Sequence, residues 1–136
     1  MTGWVVDASV FGSIVLADEL EAPFPGLVEQ LAEGTCQVPQ HWHLEVTNQI
    51  LMGLRRKRIA SGRAIESIAL IERLPVLVDS ETSNHSTGIY QLASTHTLTT
   101  YDAAYLELAI RGNFALATFD KALRRAAKQE SVALVN

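Results

Sequence analysis

The chain has 136 residues, 48% of them hydrophobic, with a formal net charge of −4 and a single cysteine. That length and apolar content suit one domain, residues 1–136, around one core, and the lone Cys36 excludes an internal disulfide or a four-cysteine zinc site. No window offers the roughly 18 uncharged apolar residues of a spanning helix, and "MTGWVVDASV" lacks the basic start of a secretory leader, so neither membrane insertion nor export is expected and the cytoplasm is the expected compartment.

In chain order, the short apolar run Trp4 to Val6 is followed by a helical stretch from Ala8 to Ala17 and another near Leu27 to Glu33. A second run, Cys36 to Val38, precedes Gln40 to Arg58. Ser61 to Arg73 then repeats Ala64, Ile65, Ile68 and Ile71 at spacings of three and four, which is a helical period. A third run, Val76 to Val78, leads to helices near Ser86 to Ser94 and Tyr101 to Arg111. The fourth, Phe114 to Ala117, leads to Asp120 to Gln129, and a fifth, Val132 to Val135, follows. The runs are brief and lack polar alternation, as buried parallel strands do. Alternation with helices predicts an α/β fold with a parallel sheet of about five short strands covered on both faces. Pro23, Pro25, Pro39 and Pro75 all fall between elements, and no repeat or linker interrupts them.

Charge is uneven along the chain. Residues 1–54 hold seven acids and no Lys or Arg, while residues 55–136 hold eight acids and all eleven bases, giving −7 and +3. A mildly acidic protein does not bind nucleic acid by overall charge, so any such contact is local.

In open parallel sheets, ligands collect beyond the carboxyl ends of the strands. Asp7 ends "WVVD" and Asp120 ends "FALATF", each just before a helix, where Asp also serves as an N-cap. Thr99 and Asp102 make a capping-box spacing before "AAYLELA". Glu45 lies one turn into its helix beside Asn48, Gln49 and Met52, opposite the face of Trp42, Val46, Ile50 and Leu54. Asp79 ends "VLV" and is a fifth candidate, and spacing does not decide between four acids and five. His41 and His43, two apart, point to different sides of a helix and cannot share a metal by helix geometry. No glycine-rich phosphate cradle, CxxC pair or G-x-S-x-G elbow is present, so carboxylates are the dense functional set. Several carboxylates at one sheet edge repel unless a cation joins them, and an all-oxygen site suits Mg²⁺ or Mn²⁺.

The pieces "VVDASV", "PQHWHLEVTN", "LTTYDAAYLELA" and "LATFDKALRRAA", in this order, resemble the PIN-domain nucleases, most closely the VapC-type toxins of bacterial toxin–antitoxin pairs. The resemblance implies a three-layer α/β/α sandwich and a catalytic metal site for Mg²⁺ or Mn²⁺ formed by Asp7, Glu45, Asp102 and Asp120. It implies Ser9, Asn48 and Thr118 as supporting polar groups, and it leaves out Asp79. The implied reaction is metal-dependent endonucleolytic hydrolysis of RNA, with a homodimer and a cognate VapB-type antitoxin as partners. Arg55, Arg56, Lys57 and Arg58, with Arg124 and Arg125, are candidates for RNA-backbone contact or, for "RRKR", a solvated helix end. The turn "KQES" departs from the pattern in lacking a glycine. The acidic first half, with Asp18, Glu19, Glu21 and Glu29, suits either a basic inhibitory segment or simple solubility. Rival readings are an RNA-processing PIN nuclease without an antitoxin, an inactive PIN-like binding module, and a phosphoacceptor receiver domain. The last needs an acidic pair after the first strand and a Lys after the last, where this chain has "VVDAS" and "VALVN".

Overall fold

The computed structural model describes residues 3–11, 24 and 26–136. Its elements are β1 (Trp4–Val6), α1 (residues 8–11), α2 (Leu27–Ala32), β2 (Cys36–Val38), α3 (Trp42–Arg55), α4 (Ser61–Arg73), β3 (Leu77–Val78), a 3₁₀ turn (Thr82–His85), α5 (Ser86–His96), α6 (Thr100–Gly112), β4 (Ala115–Ala117) and α7 (Lys121–Gln129). The expected helix from Ala8 to Ala17 is described only to residue 11. Its remainder, with Asp18, Glu19, Glu21, Pro23 and Pro25, lies outside the described residues.

All four strands are parallel, in the order β3-β2-β1-β4. The chain runs from β1 to β2 and β3 in one direction and then to β4 on the other side, and crossovers of the usual right hand put helices on opposite faces of such a sheet. The result is the expected three-layer α/β/α arrangement around a flanked parallel sheet. The core sits between sheet and helices, with Trp42, Tyr105, Ile50, Leu106, Leu116 and Leu123 among its largest fully buried side chains. Helix α6 is buried continuously from Ala103 to Ala109. Its small residues let it lie close to the sheet.

The sheet has four strands rather than five. The run Val132 to Val135 meets β4 only through the parallel bridge Leu116–Leu134, with Leu116 N–H donating to Ala133 O at 2.8 Å and Val135 N–H to Leu116 O at 3.0 Å. One register point does not extend into a ladder. The preceding turn, without glycine, puts Ser131 at φ 59°, a left-handed conformation that costs an L residue about 1–2 kcal/mol. Buried strands are also not the rule throughout. Strand β3 is the sheet edge, and Leu77 and Val78 are 50% and 46% exposed. Finally, α3 stops at Arg55, and Lys57 at φ 58° turns the chain, so only the first base of "RRKR" is helical.

Candidate active site

The sheet order reverses between β1 and β4, the point at which open α/β sheets leave a crevice beyond their carboxyl ends. Asp7 follows β1 there, and the ladder holds it: its N–H donates to Ala117 O of β4 at 2.9 Å. Its carboxylate is 4% exposed. Oδ2 accepts from Thr118 Oγ1 at 2.6 Å and from Ser9 Oγ at 2.9 Å. Burial raises the Asp7 pKa; these hydroxyls pull it back in part, and the Glu45 charge raises it further.

Thr118, fully buried, is the link to the next acid. Its Oγ1 accepts from Asp120 N–H at 3.0 Å while donating to Asp7. Asp120 caps α7, its Oδ1 accepting from Leu123 N–H at 2.8 Å. Asp120 Oδ2 has no hydrogen bond among the described residues. Both roles considered for Asp120, cap and cluster member, therefore belong to one side chain. Arg124 adds a hydrogen bond from its guanidinium to Thr118 O at 3.0 Å.

Glu45, on the first turn of α3, is held by Tyr105, which was not a candidate from sequence, and by His41, which was weighed only as a metal partner of His43. Tyr105 donates its hydroxyl to Glu45 Oε1 at 2.7 Å, and His41 Nε2 lies 3.0 Å from the same oxygen. Burial alone would raise the Glu45 pKa, but the His41 and Tyr105 contacts outweigh it and the net shift is downward. Tyr105 is itself driven well above the usual phenol range by burial and by Glu45, so it stays a neutral donor. A spacing signal was present for both. His41 is four residues before Glu45, and Tyr105 is one turn after Asp102 on the same helix.

Asp102 lies in the first turn of α6, its N–H donating to the N-cap hydroxyl of Thr99 at 3.1 Å. Its pKa is pushed up to about 6 by burial first, then by the charges of Asp7, Asp120 and Glu45. The structure therefore brings the four acids into one electrostatic neighbourhood. Among the described residues, no three Asp, Glu, His or Cys side chains converge tightly enough to hold an ion between them as they stand. The donor chemistry nonetheless fits a hard divalent cation, because Mg²⁺ commonly takes one or two carboxylates and keeps several waters. The mutual repulsion on Asp102 is also what such a cation relieves.

The other candidates separate. Asp79 Oδ2 accepts from Arg111 at 2.6 Å and Oδ1 at 3.2 Å, and Arg111 also pairs with Glu107 at 2.9 Å. The Arg111 hydrogen bonds hold the Asp79 pKa below the usual range despite partial burial. Asp79 thus ties the end of β3 to α6. Asn48 is exposed, and its side chain makes no hydrogen bond among the described residues. Arg55, Arg56, Lys57, Arg58 and Arg125 are exposed, whereas Arg124 is half-buried over Thr118. Arg55 lies ten residues beyond Glu45 on α3, about 15 Å along the axis. A cavity of about 530 Å³ beside Trp4, Phe114 and Val132 opens at the opposite sheet edge and contains none of the four acids.

A parallel α/β sheet whose switch point gathers carboxylates offers a ligand site at that edge. A receiver-type sheet would set β3 beside β1, where this one has β4. The PIN domain family model matches residues 4–129, and the chain belongs to that family. Membership makes it, at that coarse level, a nuclease of the PIN superfamily. Among solved structures, the chain is similar to the crystal structure of PAE2754 from Pyrobaculum aerophilum, with a TM-score of 0.64 and 20% identity over 93% of this chain and 87% of that one. That likeness is one of fold. No curated protein matches the sequence. Among the described residues no helix is long and apolar enough to cross a membrane.

Proposed function

We propose that this protein is a Mg²⁺- or Mn²⁺-dependent endoribonuclease acting as the toxin of a type II, VapBC-like toxin–antitoxin pair. One observation supports it above the rest: the fully buried Thr118 hydroxyl joins Asp7 to Asp120 where β1 and β4 end, donating at 2.6 Å and accepting at 3.0 Å, and the pKa of the neighbouring Asp102 is raised by burial and by the charges of these acids and Glu45. Asp7, Glu45, Asp102 and Asp120 are the residues that would hold a divalent cation, which would supply a bound water of lowered pKa and offset charge on the phosphate under attack.

The chain's own residues prepare the acids for that role. Thr118 and Ser9 orient Asp7 and favour its charged form against burial. Tyr105 and His41 fix Glu45 Oε1 in one place. Asp120 uses Oδ1 as a cap, leaving Oδ2 for a ligand. In this reading Arg55 to Arg58 and Arg125, all exposed, meet RNA phosphates away from the cut, and Arg124 braces the strand end. A homodimer and an antitoxin that lays a basic residue over the acids complete the proposal.

The test is to express the chain alone and with the product of any small gene found adjacent to its own, and to sequence the RNA ends that arise. Growth arrest and discrete cuts relieved by the neighbour, and lost in Asp7→Asn, are expected. Cuts without relief would assign the chain to RNA processing instead. No cuts in cells, and none with purified protein in Mn²⁺, would remove the nuclease reading.

A further inference from the structure

Beside Glu45 is a second cavity, of about 310 Å³, that the acids do not line. Its floor is apolar, from Ile89 of α5 and Ala104 of α6, 7% and 4% exposed. The rings of His41 and Tyr101 form one wall, with centroids 5.7 Å apart and a steep mutual angle of 63°. Ser83, Thr100 and Tyr101 line it, and their hydroxyls have no hydrogen-bond partner among the described residues. Among the described residues no Asp, Glu, Lys or Arg lines it.

We propose that this cavity is a single-base pocket, which takes one unstacked nucleobase of the RNA next to the bond that is cut. The inference rests on the nuclease reading above and adds what that reading lacks, a determinant of where the enzyme cuts.

Three features carry it. The first is continuity: His41 forms a wall of the cavity while its Nε2 lies 3.0 Å from Glu45 Oε1 and 3.1 Å from Tyr101 O, and Thr100 and Tyr101 immediately precede Asp102. An occupant is therefore adjacent to the acids. The second is chemistry. Nucleobases are neutral and planar, with donors and acceptors on their edges, and single-stranded RNA is read by aromatic stacking and by hydrogen bonds to those edges. An exposed Tyr101 ring, three free hydroxyls and an apolar floor match that chemistry; a phosphate would want cations. The third is size, since about 300 Å³ is the low end of small-molecule sites, enough for one base and too little for two stacked nucleotides.

The test uses a short single-stranded RNA with 2-aminopurine at one position, bound to the full protein in EDTA so that no turnover intervenes. Binding should change the probe's fluorescence. Tyr101→Ala should weaken binding about 5- to 150-fold, the range for loss of one stacked base, with the slope of log K against log salt unchanged because no charge is removed. Ser83→Trp, at an exposed position, should block the pocket and weaken binding likewise. In Mn²⁺, mapped cleavage ends should show a base preference at one position beside the cut that both variants relax. Cleavage with unchanged affinity and unchanged preference in both variants would overturn the pocket while leaving the nuclease intact. Variant-sensitive base binding in EDTA, with no cleavage in Mn²⁺, would keep the pocket and remove the nuclease. Variants that keep RNA preference but escape inhibition by the neighbouring gene product would assign the cavity to a protein side chain and overturn the proposal.

Discussion

The hydroxyl of Thr118 joins Asp7 to Asp120: it donates to Asp7 Oδ2 at 2.6 Å and accepts from the Asp120 N–H at 3.0 Å. Because the backbone N–H can only donate, the hydroxyl proton is directed at Asp7, which must accept. Thr118→Val keeps the shape and removes both bonds. It should cost about 2 kcal/mol or more, since buried partners are left unpaired, and lower Tm by about 6 °C in a domain of this size. Thr118→Ser should recover most of both Tm and Mn²⁺ affinity, measured by thermal unfolding and metal titration. A Val variant as stable as wild type would mean that the hydroxyl only fills space.

Asp120→Asn separates cap from charge. Asn caps a helix about as well as Asp, so α7 should persist. With one charge fewer beside Asp102, the EDTA form should gain about 1 kcal/mol, near 3 °C in Tm. In excess Mn²⁺ the order should reverse. A cation bound only to the folded state adds about 2.7 kcal/mol at a hundredfold excess over Kd, and the variant should lose most of that. Equal melting temperatures in both buffers would reduce Asp120 to a cap.

The pH dependence follows from the same cluster. Asp102 is raised to about 6 and Asp7 is also raised, so between the unfolded carboxylate value, about 4, and 6, the folded state holds more protons than the unfolded one. Stability from these groups therefore falls as pH rises through that window. Glu45 and Asp79 are lowered and act oppositely, their contribution being lost as pH drops below about 4. Metal-free protein should melt higher at pH 5 than at pH 8, and saturating Mn²⁺ should remove the difference. A steady rise in Tm to pH 8 in EDTA contradicts the cluster.

Asp79 is the matched control. Its neutral variant Asp79→Asn should cost about 1–2 kcal/mol through the weakened Arg111 hydrogen bonds, with cleavage rate within about twofold of wild type by the scale of surface effects. A loss of cleavage comparable to that of Asp7→Asn would place Asp79 in the site and make the choice of four acids wrong.

Arg55→Ala with Arg56→Ala tests the exposed bases at the end of α3. For each phosphate that such a base neutralises, its removal should flatten the slope of log K against log salt by about 0.7 for single-stranded RNA. An unchanged slope leaves these bases as a solvated helix end.

Local chemistry made much of this legible in the sequence. Helix α4 was bounded at both ends because its apolar period stops where Leu74 turns extended before Pro75. The strand-end acids were visible for a similar reason: an apolar run that stops on Asp before a helix has few alternatives. What sequence could not show was which contacts form between distant segments. Tyr105 reaches Glu45 across 60 residues and Arg111 reaches Asp79 across 32, and neither pairing leaves a trace in local periodicity. The exposure of β3 and the single bridge at Leu134 depend on sheet order, which an apolar run alone does not encode.

The pairing of β1 with β4 has a consequence for how the protein is made. A ribosome adds about 5–20 residues per second, so Asp7 waits roughly 5–20 s for the synthesis of Thr118, 111 residues later. Until then β1 has one neighbour, β2, and its other edge is unsatisfied. The acids cannot meet in a chain that is still short of its last helix. A site built this way stays unassembled until the chain is nearly complete.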